Sequence, residues 1–186
     1  MTWLECNIVT NAAHSGLVTL QTPAPSRLLR FEIWSGHKAA QARLAKALGG
    51  PLPGVCKSAD LGAARVIWVE QNSWLVRTHP VDADQTLATL TAALGKDGSA
   101  TDMSGALRRL RISGPGWRTL LTIGGVFDAE GPTFGPGSMA GTIVAHSPVR
   151  YDVISAECVD AYTPPSYAPD LFGFWCEAAE RLAKTQ

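Results

Sequence analysis

Residues 64–79 read ARVIWVEQNSWLVRTH, and this stretch decides the fold. Two apolar runs, 64–70 and 74–79, flank the polar joint QNS at 71–73, an arrangement typical of a β-hairpin. The run VIWV at 66–69 is apolar on both faces of its strand. Such a strand must be covered on both sides, here by the other half of the chain or by another chain.

The hairpin belongs to an order of elements that occurs twice. The first half is predicted to contain a strand at 27–34, a helix at 37–48, the hairpin, and a helix at 82–94 that Asp82 can cap. The second half is predicted to contain a strand at 106–113, a short helix at Trp117, strands at 141–146 and 149–155 joined at Ser147-Pro148, and a helix at 168–183. We therefore predict an α+β fold of two βαββα ferredoxin-like halves packed together.

The domain organisation follows from these elements. The paired halves are expected at about 27–98 and 99–186, within a single domain over residues 27–186. Residues 1–26 are rich in Asn, Ala, Ser and Pro, a composition that predicts a loosely ordered N-terminal arm.

Composition narrows the classes of function. The chain has 186 residues, with 16 Lys+Arg balanced by 16 Asp+Glu, so it offers no electrostatic footprint for nucleic acid or an anionic membrane. Hydrophobic residues make up 46%, which argues against disorder, while charged residues reach only 17% against the roughly 25% of ordinary domains. A surface with so few charges indicates a partner. We see no signal-peptide pattern and no apolar run of about 18 residues, so we expect a cytoplasmic location.

The spacing of the cysteines and histidines gives little support for a nucleophilic or metal-binding site. The four cysteines (Cys6, Cys56, Cys158 and Cys176) and four histidines (His14, His37, His79 and His146) are scattered, without metal-ligand spacing. Cys56 or Cys158 could meet His79 or His146 in space, but buried inert thiols are the better interpretation. His79, before a proline, is expected to be a surface or capping residue.

Ser138 lacks the two flanking glycines of a nucleophile elbow. The segments Gly114-Pro115-Gly116 and Gly135-Pro136-Gly137 carry proline where a phosphate loop needs an N–H group, so both are predicted to be tight turns. We therefore expect no catalytic, cofactor-binding or metal-binding residues on this chain.

Two features remain as candidates for contact with a partner. Arg109 and Arg111 share one face of a strand that also begins with Arg108, and we interpret this face as solvated; an ion-pairing surface for an acidic partner is the alternative. Most of the six tryptophans are expected in the core. Trp34, on the polar face of its strand, and Trp3, in the arm, are the better candidates for partner contacts.

The order of short motifs from residue 102 onward resembles a known family. These motifs are Asp102-Met103-Ser104-Gly105, Leu110-Arg111-Ile112-Ser113-Gly114-Pro115, Leu120-Leu121, Gly125-Val126-Phe127-Asp128, Phe134-Gly135-Pro136-Gly137, Thr142, Pro165-Ser166-Tyr167-Ala168 and Trp175. In the first half Leu48-Gly49, Leu52-Pro53, Val66-Ile67-Trp68-Val69 and Trp74-Leu75 agree more loosely. Over residues 27–183 the chain resembles the gamma subunit of heterotetrameric sarcosine oxidase.

The resemblance implies a complex of alpha, beta, gamma and delta chains that oxidatively demethylates sarcosine or a related secondary N-methyl amine. The methyl carbon leaves as formaldehyde or 5,10-methylenetetrahydrofolate, and oxygen is reduced to hydrogen peroxide. FAD, FMN, NAD, tetrahydrofolate and zinc are then expected on the other subunits, and none on this chain. Gamma is related to the folate-binding aminomethyltransferase fold, and we expect it to pack mainly on alpha and stabilise the assembly. The alternative is a stand-alone tetrahydrofolate-binding protein of the aminomethyltransferase type.

Overall fold

The computed structural model describes residues 17–184, which form ten strands and four α-helices. The strands are β1 (Thr19–Gln21), β2 (Arg27–Ile33), β3 (Ser58–Leu61), β4 (Ala64–Glu70), β5 (Ser73–Thr78), β6 (Gly98–Asp102), β7 (Arg108–Ser113), β8 (Met139–Val144), β9 (Ser147–Ser155) and β10 (Cys158–Thr163). The helices are α1 (His37–Leu48), α2 (Ala83–Leu94), α3 (Trp117–Thr122) and α4 (Ala168–Lys184). Two compact units result: the first unit spans residues 24–105, and the second unit combines residues 17–23 with 106–184.

The first unit is a five-stranded antiparallel sheet with two helices on one face. Its strand order is β3-β4-β5-β2-β6. On β2, Leu29, Phe31 and Ile33 alternate inward and are buried against α1 and α2, as the period of two predicted. The hairpin between β4 and β5 turns through Asn72, whose positive φ suits a tight hairpin turn.

The helices of the first unit begin and end close to their predicted bounds. α1 buries Ala40, Leu44 and Leu48 at helical spacing and ends at Gly49, which adopts the left-handed conformation with φ 82°. Asp82 occupies the N-cap position of α2, although its carboxylate makes no capping hydrogen bond.

The second face of the first unit's sheet is buried too. Ile67, at 2% exposure, is buried on β4 along with Leu75 on the neighbouring strand, and neither belongs to the helix-side core. Both faces of β4 are therefore buried at this position, as its apolar run predicted.

The second unit repeats the arrangement with different side chains. Its antiparallel sheet runs β8-β9-β10-β7-β1, and α3 and α4 cover one face. The core on that face is aromatic: Trp117, Tyr151 and Trp175 are fully buried, and the ring centroids of Tyr151 and Trp175 lie 6.3 Å apart. Aromatic pairs at this separation add to the burial energy.

The predicted α+β class with two related halves is confirmed, while each half has more strands than predicted. β1, β3, β6 and β10 were not predicted, so each half reads βαβββα with a fifth strand at the edge of its sheet. The turn predicted at Ser147-Pro148 is wrong. The chain reverses two residues earlier, at Ala145 and His146, which both have positive φ, and β9 already begins at Ser147.

Part of the segment predicted to be a loosely ordered N-terminal arm, residues 1–26, forms a strand. Residues 1–16 lie outside the described part of the chain. Further along, Thr19–Gln21 forms β1, which pairs with β7 from Thr19 opposite Ser113 to Gln21 opposite Arg111. The buried side chain of Leu20 explains this order, because it completes the core of the second unit.

Candidate interaction surface

The cysteines lie apart from one another. Cys56 is exposed in the first unit, whereas Cys158 and Cys176 are partly buried in the second. The expectation of buried thiols is therefore wrong for Cys56, which lies in the loop before β3 with φ 56°. Cys6 lies outside the described residues. Between residues 17 and 184, no group of three or more His, Cys, Asp or Glu side chains is arranged to hold a metal ion.

The described histidines sit at ends of elements. His79 is exposed, and its Nδ1 accepts a hydrogen bond from the backbone N–H of Val81 at 3.3 Å, which confirms the predicted capping role. His37 opens α1 and His146 lies in the β8–β9 turn, both exposed. His14 falls among the residues not described.

Ser138 and the glycine-rich segments have structural roles. The Ser138 hydroxyl donates to the carbonyl of Thr133 and accepts from the N–H of Gly135. Gly114 has φ 105°, and a Cβ there would overlap the carbonyl of Leu17, so only glycine fits. The second segment is held by the N–H of Gly137, which donates to the carbonyl of Val153 at 2.9 Å. Both segments are tight turns, as predicted.

Arg109 and Arg111 of β7 form a partly buried ion cluster instead of the predicted solvated face. Arg111 makes two hydrogen bonds to Asp160, from Nε at 2.7 Å and from Nη2 at 2.9 Å, while Arg109 lies 3.3 Å from the same carboxylate. Asp160 is 0% exposed, and Asp152, directly opposite it on β9, is equally buried. The sequence did not reveal this cluster because the carboxylate comes from β10, a strand that was not predicted.

The pairing also changes the electrostatics of the cluster. The hydrogen bond to Asp160 raises the pKa of Arg111 above its usual range, and burial opposes that rise to a smaller extent. A guanidinium that donates two hydrogen bonds to one carboxylate is held in a fixed position. The alternative interpretation, a surface that binds an acidic partner through Arg109 and Arg111, is therefore replaced by an internal ion pair.

Most of the described tryptophans belong to the core, as predicted. Trp74 and Trp117 are buried and donate their indole N–H groups to the carbonyls of Pro53 and Ala156. Trp34, by contrast, is 63% exposed just before α1, as expected of a candidate contact residue. Trp3 is not among the described residues.

Two large exposed apolar side chains lie together on one surface of the second unit. Six large hydrophobic residues are exposed in the described part of the chain: Trp34, Val55, Val81, Val126, Ile143 and Tyr167. Val126 and Ile143, at 92% and 58% exposure, line a common groove of about 540 Å³ beside β8. We call this concavity the β8 groove; its lining residues are Leu107, Val126, Gly141, Thr142, Ile143, Pro148, Val149, Arg150, Tyr162 and Pro164. None of these side chains is acidic.

The β8 groove lies over the sheet face opposite the aromatic core. Gly141 pairs directly with Arg150 across β8 and β9, and Arg150 pairs with Tyr162 across β9 and β10. Because Tyr151 points into the core, its neighbour Arg150 points to the other face. The arrangement can bind an apolar group next to an anion; it brings together no nucleophile and base. The sequence hinted at this surface only through the low content of charged residues.

Comparisons with known protein families and with curated proteins give no match. Solved structures do match. A chain of the heterotetrameric sarcosine oxidase from Corynebacterium sp. U-96, solved in complex with pyrrole 2-carboxylate, superposes with a TM-score of 0.79. The match has 23% sequence identity and covers 91% of this chain and 89% of that one.

A second solved structure has the same fold in a longer protein. Aminomethyltransferase T of the glycine cleavage system from Bartonella henselae matches with a TM-score of 0.64 and 14% identity. The match covers 90% of this chain and 48% of that chain, so the present protein spans about half of the enzyme's length. The fold is thus the one shared by a chain of sarcosine oxidase and by part of aminomethyltransferase.

No helix of the described residues is both long enough and apolar enough to cross a membrane.

Proposed function

We propose that this protein is the gamma-type subunit of a heterotetrameric sarcosine oxidase-type complex. In this proposal it carries no active site and stabilises the assembly by packing mainly on an alpha subunit, alongside beta and delta subunits. The complex would oxidatively demethylate sarcosine or a related N-methyl amine in the cytoplasm. FAD, FMN, NAD, tetrahydrofolate and zinc would be held by the other chains.

The observation that carries the proposal is the end-to-end match to one chain of the Corynebacterium oxidase. Because 91% of this chain covers 89% of that chain, the two have nearly equal lengths. A match of this kind supports a small subunit of the same size and fold.

The surface supports the same proposal. A subunit in a permanent assembly needs apolar side chains at its surface, because obligate interfaces are more hydrophobic than ordinary surfaces. The chain has only 17% charged residues, and Val126 and Ile143 line one groove while Trp34 stands exposed in the first unit. These features are expected of a protein that is buried further in a complex.

The alternative is a stand-alone tetrahydrofolate-binding protein of the aminomethyltransferase type. The fold shared with the Bartonella enzyme favours it, but this chain spans only 48% of that enzyme. Folate binding by the chain alone would require about half the enzyme's fold to form a complete site. We therefore keep it as the second candidate.

Co-expression with the proteins encoded beside this gene tests the first candidate. We expect an affinity tag on this chain to recover a complex of defined stoichiometry with flavin absorbance and sarcosine-dependent peroxide production. The control is the same co-expression without this chain, which should give a less stable complex. A stable, cofactor-free monomer that never co-purifies with a flavoprotein would contradict the proposal.

Isothermal titration separates the two candidates. Tetrahydrofolate is titrated into the purified chain and, in parallel, into the co-purified complex. The subunit proposal expects heat only with the complex. Tight, stoichiometric binding to the isolated chain would favour the folate-binding alternative.

A further inference from the structure

The outer edge of β8 is open. β8 is the last strand of its sheet, paired only with β9. On its other side a single bridge joins Val144 to Gly125, and among the described residues no strand pairs with Met139–Ile143 from outside. An open edge offers a row of backbone donors and acceptors to an incoming extended chain.

Gly141 leaves room at the middle of this edge. A Cβ at Gly141 would meet nothing within 4 Å, and its φ lies outside the left-handed region. Neither packing inside the chain nor backbone conformation therefore calls for glycine here, although glycine weakens a strand. Glycine within a strand is typical of a place where another backbone approaches closely.

The β8 groove offers one cation within an apolar lining. Arg150 is only partly exposed, and no ion pair or hydrogen bond of its guanidinium occurs among the described residues. It lies directly across from Gly141, with Ile143 and Pro148 paired at the next position on the same face. A carboxylate next to an apolar side chain complements this set of groups.

A second copy that pairs through its own β8 edge does not fit that chemistry. β8 reads MAGTIV and contains no acidic residue. If two copies paired their β8 edges about a two-fold axis, each would bring its own Arg150 toward the same interface and offer it no carboxylate from the strand. The occupant must therefore supply the negative charge itself.

We propose that an extended segment of a partner subunit adds to the open edge of β8, with an apolar side chain in the β8 groove and a carboxylate on Arg150. The partner is another subunit of the oxidase assembly, so this inference rests on the proposed function. Backbone hydrogen bonds to β8 supply affinity, while the apolar and acidic side chains supply specificity. The segment's backbone runs beside Gly141, whose missing side chain leaves the path from the segment's carboxylate to Arg150 open.

The test measures the association of this chain with the complex of the remaining subunits. The chain carries a fluorescent label, and anisotropy is recorded as the complex lacking it is titrated in. Gly141→Leu fills the groove where the chain itself has open space, and Arg150→Glu reverses the charge. We expect each to weaken association at least about tenfold, because removing a buried charge contact or blocking an anchor pocket costs more than 1.4 kcal/mol.

Two matched controls separate the groove from the rest of the surface. Gly54→Leu alters an exposed glycine in the first unit whose Cβ would also meet nothing within 4 Å. Val81→Glu places a charge on a valine exposed to 79%, also in the first unit. Both should leave association unchanged. Urea unfolding of every variant checks that each folds like the wild type.

The possible outcomes are distinct. If wild type associates and Gly141→Leu and Arg150→Glu associate equally well, the docking inference fails while the proposed function stands. If wild type does not associate with the neighbouring gene products, the proposed function fails, and the inference falls with it. If wild type forms dimers that either groove variant dissociates, the occupant is a second copy and the inference is wrong.

A photo-crosslinking amino acid at position 143 provides an independent readout in the assembled complex. We expect crosslinks to one extended partner segment that contains an Asp or Glu next to an apolar residue. Crosslinks to a helical or wholly basic segment would contradict the proposal.

Discussion

In the first unit the sheet runs β3-β4-β5-β2-β6, and in the second it runs β8-β9-β10-β7-β1, so each strand has a counterpart. The face away from the helices differs. In the first unit it buries Ile67 and Leu75, whereas in the second it buries the carboxylates of Asp152 and Asp160. One strand order therefore tolerates either an apolar or an ionic face, provided that every buried charge has a partner.

The largest effect is expected from Asp160→Asn. The change leaves Arg109 and Arg111 without their buried carboxylate, so the free energy of unfolding should fall by about 3–5 kcal/mol in urea denaturation. The control is Glu70→Gln in the first unit, which removes an exposed partner of Arg30 and should cost at most about 1 kcal/mol. Equal losses for the two variants would mean that the ionic face is no more critical than a surface pair.

The second comparison concerns glycines in the edge strands of the two sheets. A Cβ at Gly98 on β6 would overlap the backbone carbonyl oxygen of Glu32, so Gly98→Ala should destabilise the protein by about 1–3 kcal/mol. Gly141→Ala on β8 meets no neighbour and should stabilise the strand by about 0.5–1 kcal/mol. Thermal unfolding of both variants measures the difference. A loss of stability in Gly141→Ala would show that β8 needs its glycine for its own fold.

Each unit also buries a hydroxyl group that has no hydrogen-bond partner among residues 17–184. These are the Thr78 hydroxyl in the first unit and the Tyr151 phenol in the second. Removing an unsatisfied polar group relieves its desolvation cost, so Thr78→Val and Tyr151→Phe should be neutral or stabilising by about 1 kcal/mol at pH 7.

Alkaline pH should separate these two variants. Burial raises the pKa of the Tyr151 phenol above its usual value near 10. The folded state favours the neutral phenol, and the stability it contributes is lost as pH rises beyond about 10. The free energy of unfolding of Tyr151→Phe should therefore rise relative to that of wild type between pH 9 and about 11 in urea titrations. The difference between Thr78→Val and wild type should stay constant over the same range. Parallel pH curves for wild type and Tyr151→Phe would contradict this assignment.

The smallest effect is expected from Asp102→Asn, the exposed counterpart of Asp160. Hydrogen bonds from Ser104 and Arg27 lower the pKa of the Asp102 carboxyl to about 2. The stability it contributes is present above about pH 4 and is lost as pH falls toward 2. Because the pair is partly exposed, we expect a loss below about 1 kcal/mol at pH 7 that vanishes at pH 2, measured by thermal unfolding. A pH-independent loss would indicate a packing role instead.

Periodicity predicted the elements with one polar and one apolar face. α1 begins at His37 and ends at Leu48 as predicted, and β4 occupies Ala64–Glu70 as predicted. Repeated inward-facing residues define such elements without reference to the rest of the chain. The α+β class followed from their order.

Short strands and strands with buried charges escaped prediction. β3 has four residues and β1 three, which is too short for a period of two to stand out. β10 is buried on both faces and carries Asp160 at its centre, so its sequence reads as a polar loop. Arg109 and Arg111 of β7, distant in sequence, help to make that carboxylate acceptable.

The candidate surface was less predictable than the fold. The exposure of Trp34 was expected, because the period of two placed it on the polar face of the strand predicted at 27–34. The β8 groove was not expected. Its lining residues lie between positions 107 and 164, and only the strand order β8-β9-β10 brings them together. The turn predicted at Ser147-Pro148 implied the pairing of β8 with β9 but gave it the wrong register.

The pairing of β1 with β7 has a consequence for biosynthesis. β1 leaves the ribosome before the first unit, yet its partner follows that unit, so the first unit is in effect an insertion within the second. Units of this kind fold in the order of synthesis. Residues 24–105 can become compact before β7 is synthesised, while β1 is still unpaired. A truncation that removes Thr19–Gln21 would therefore expose the edge of β7, a strand encoded after the whole first unit.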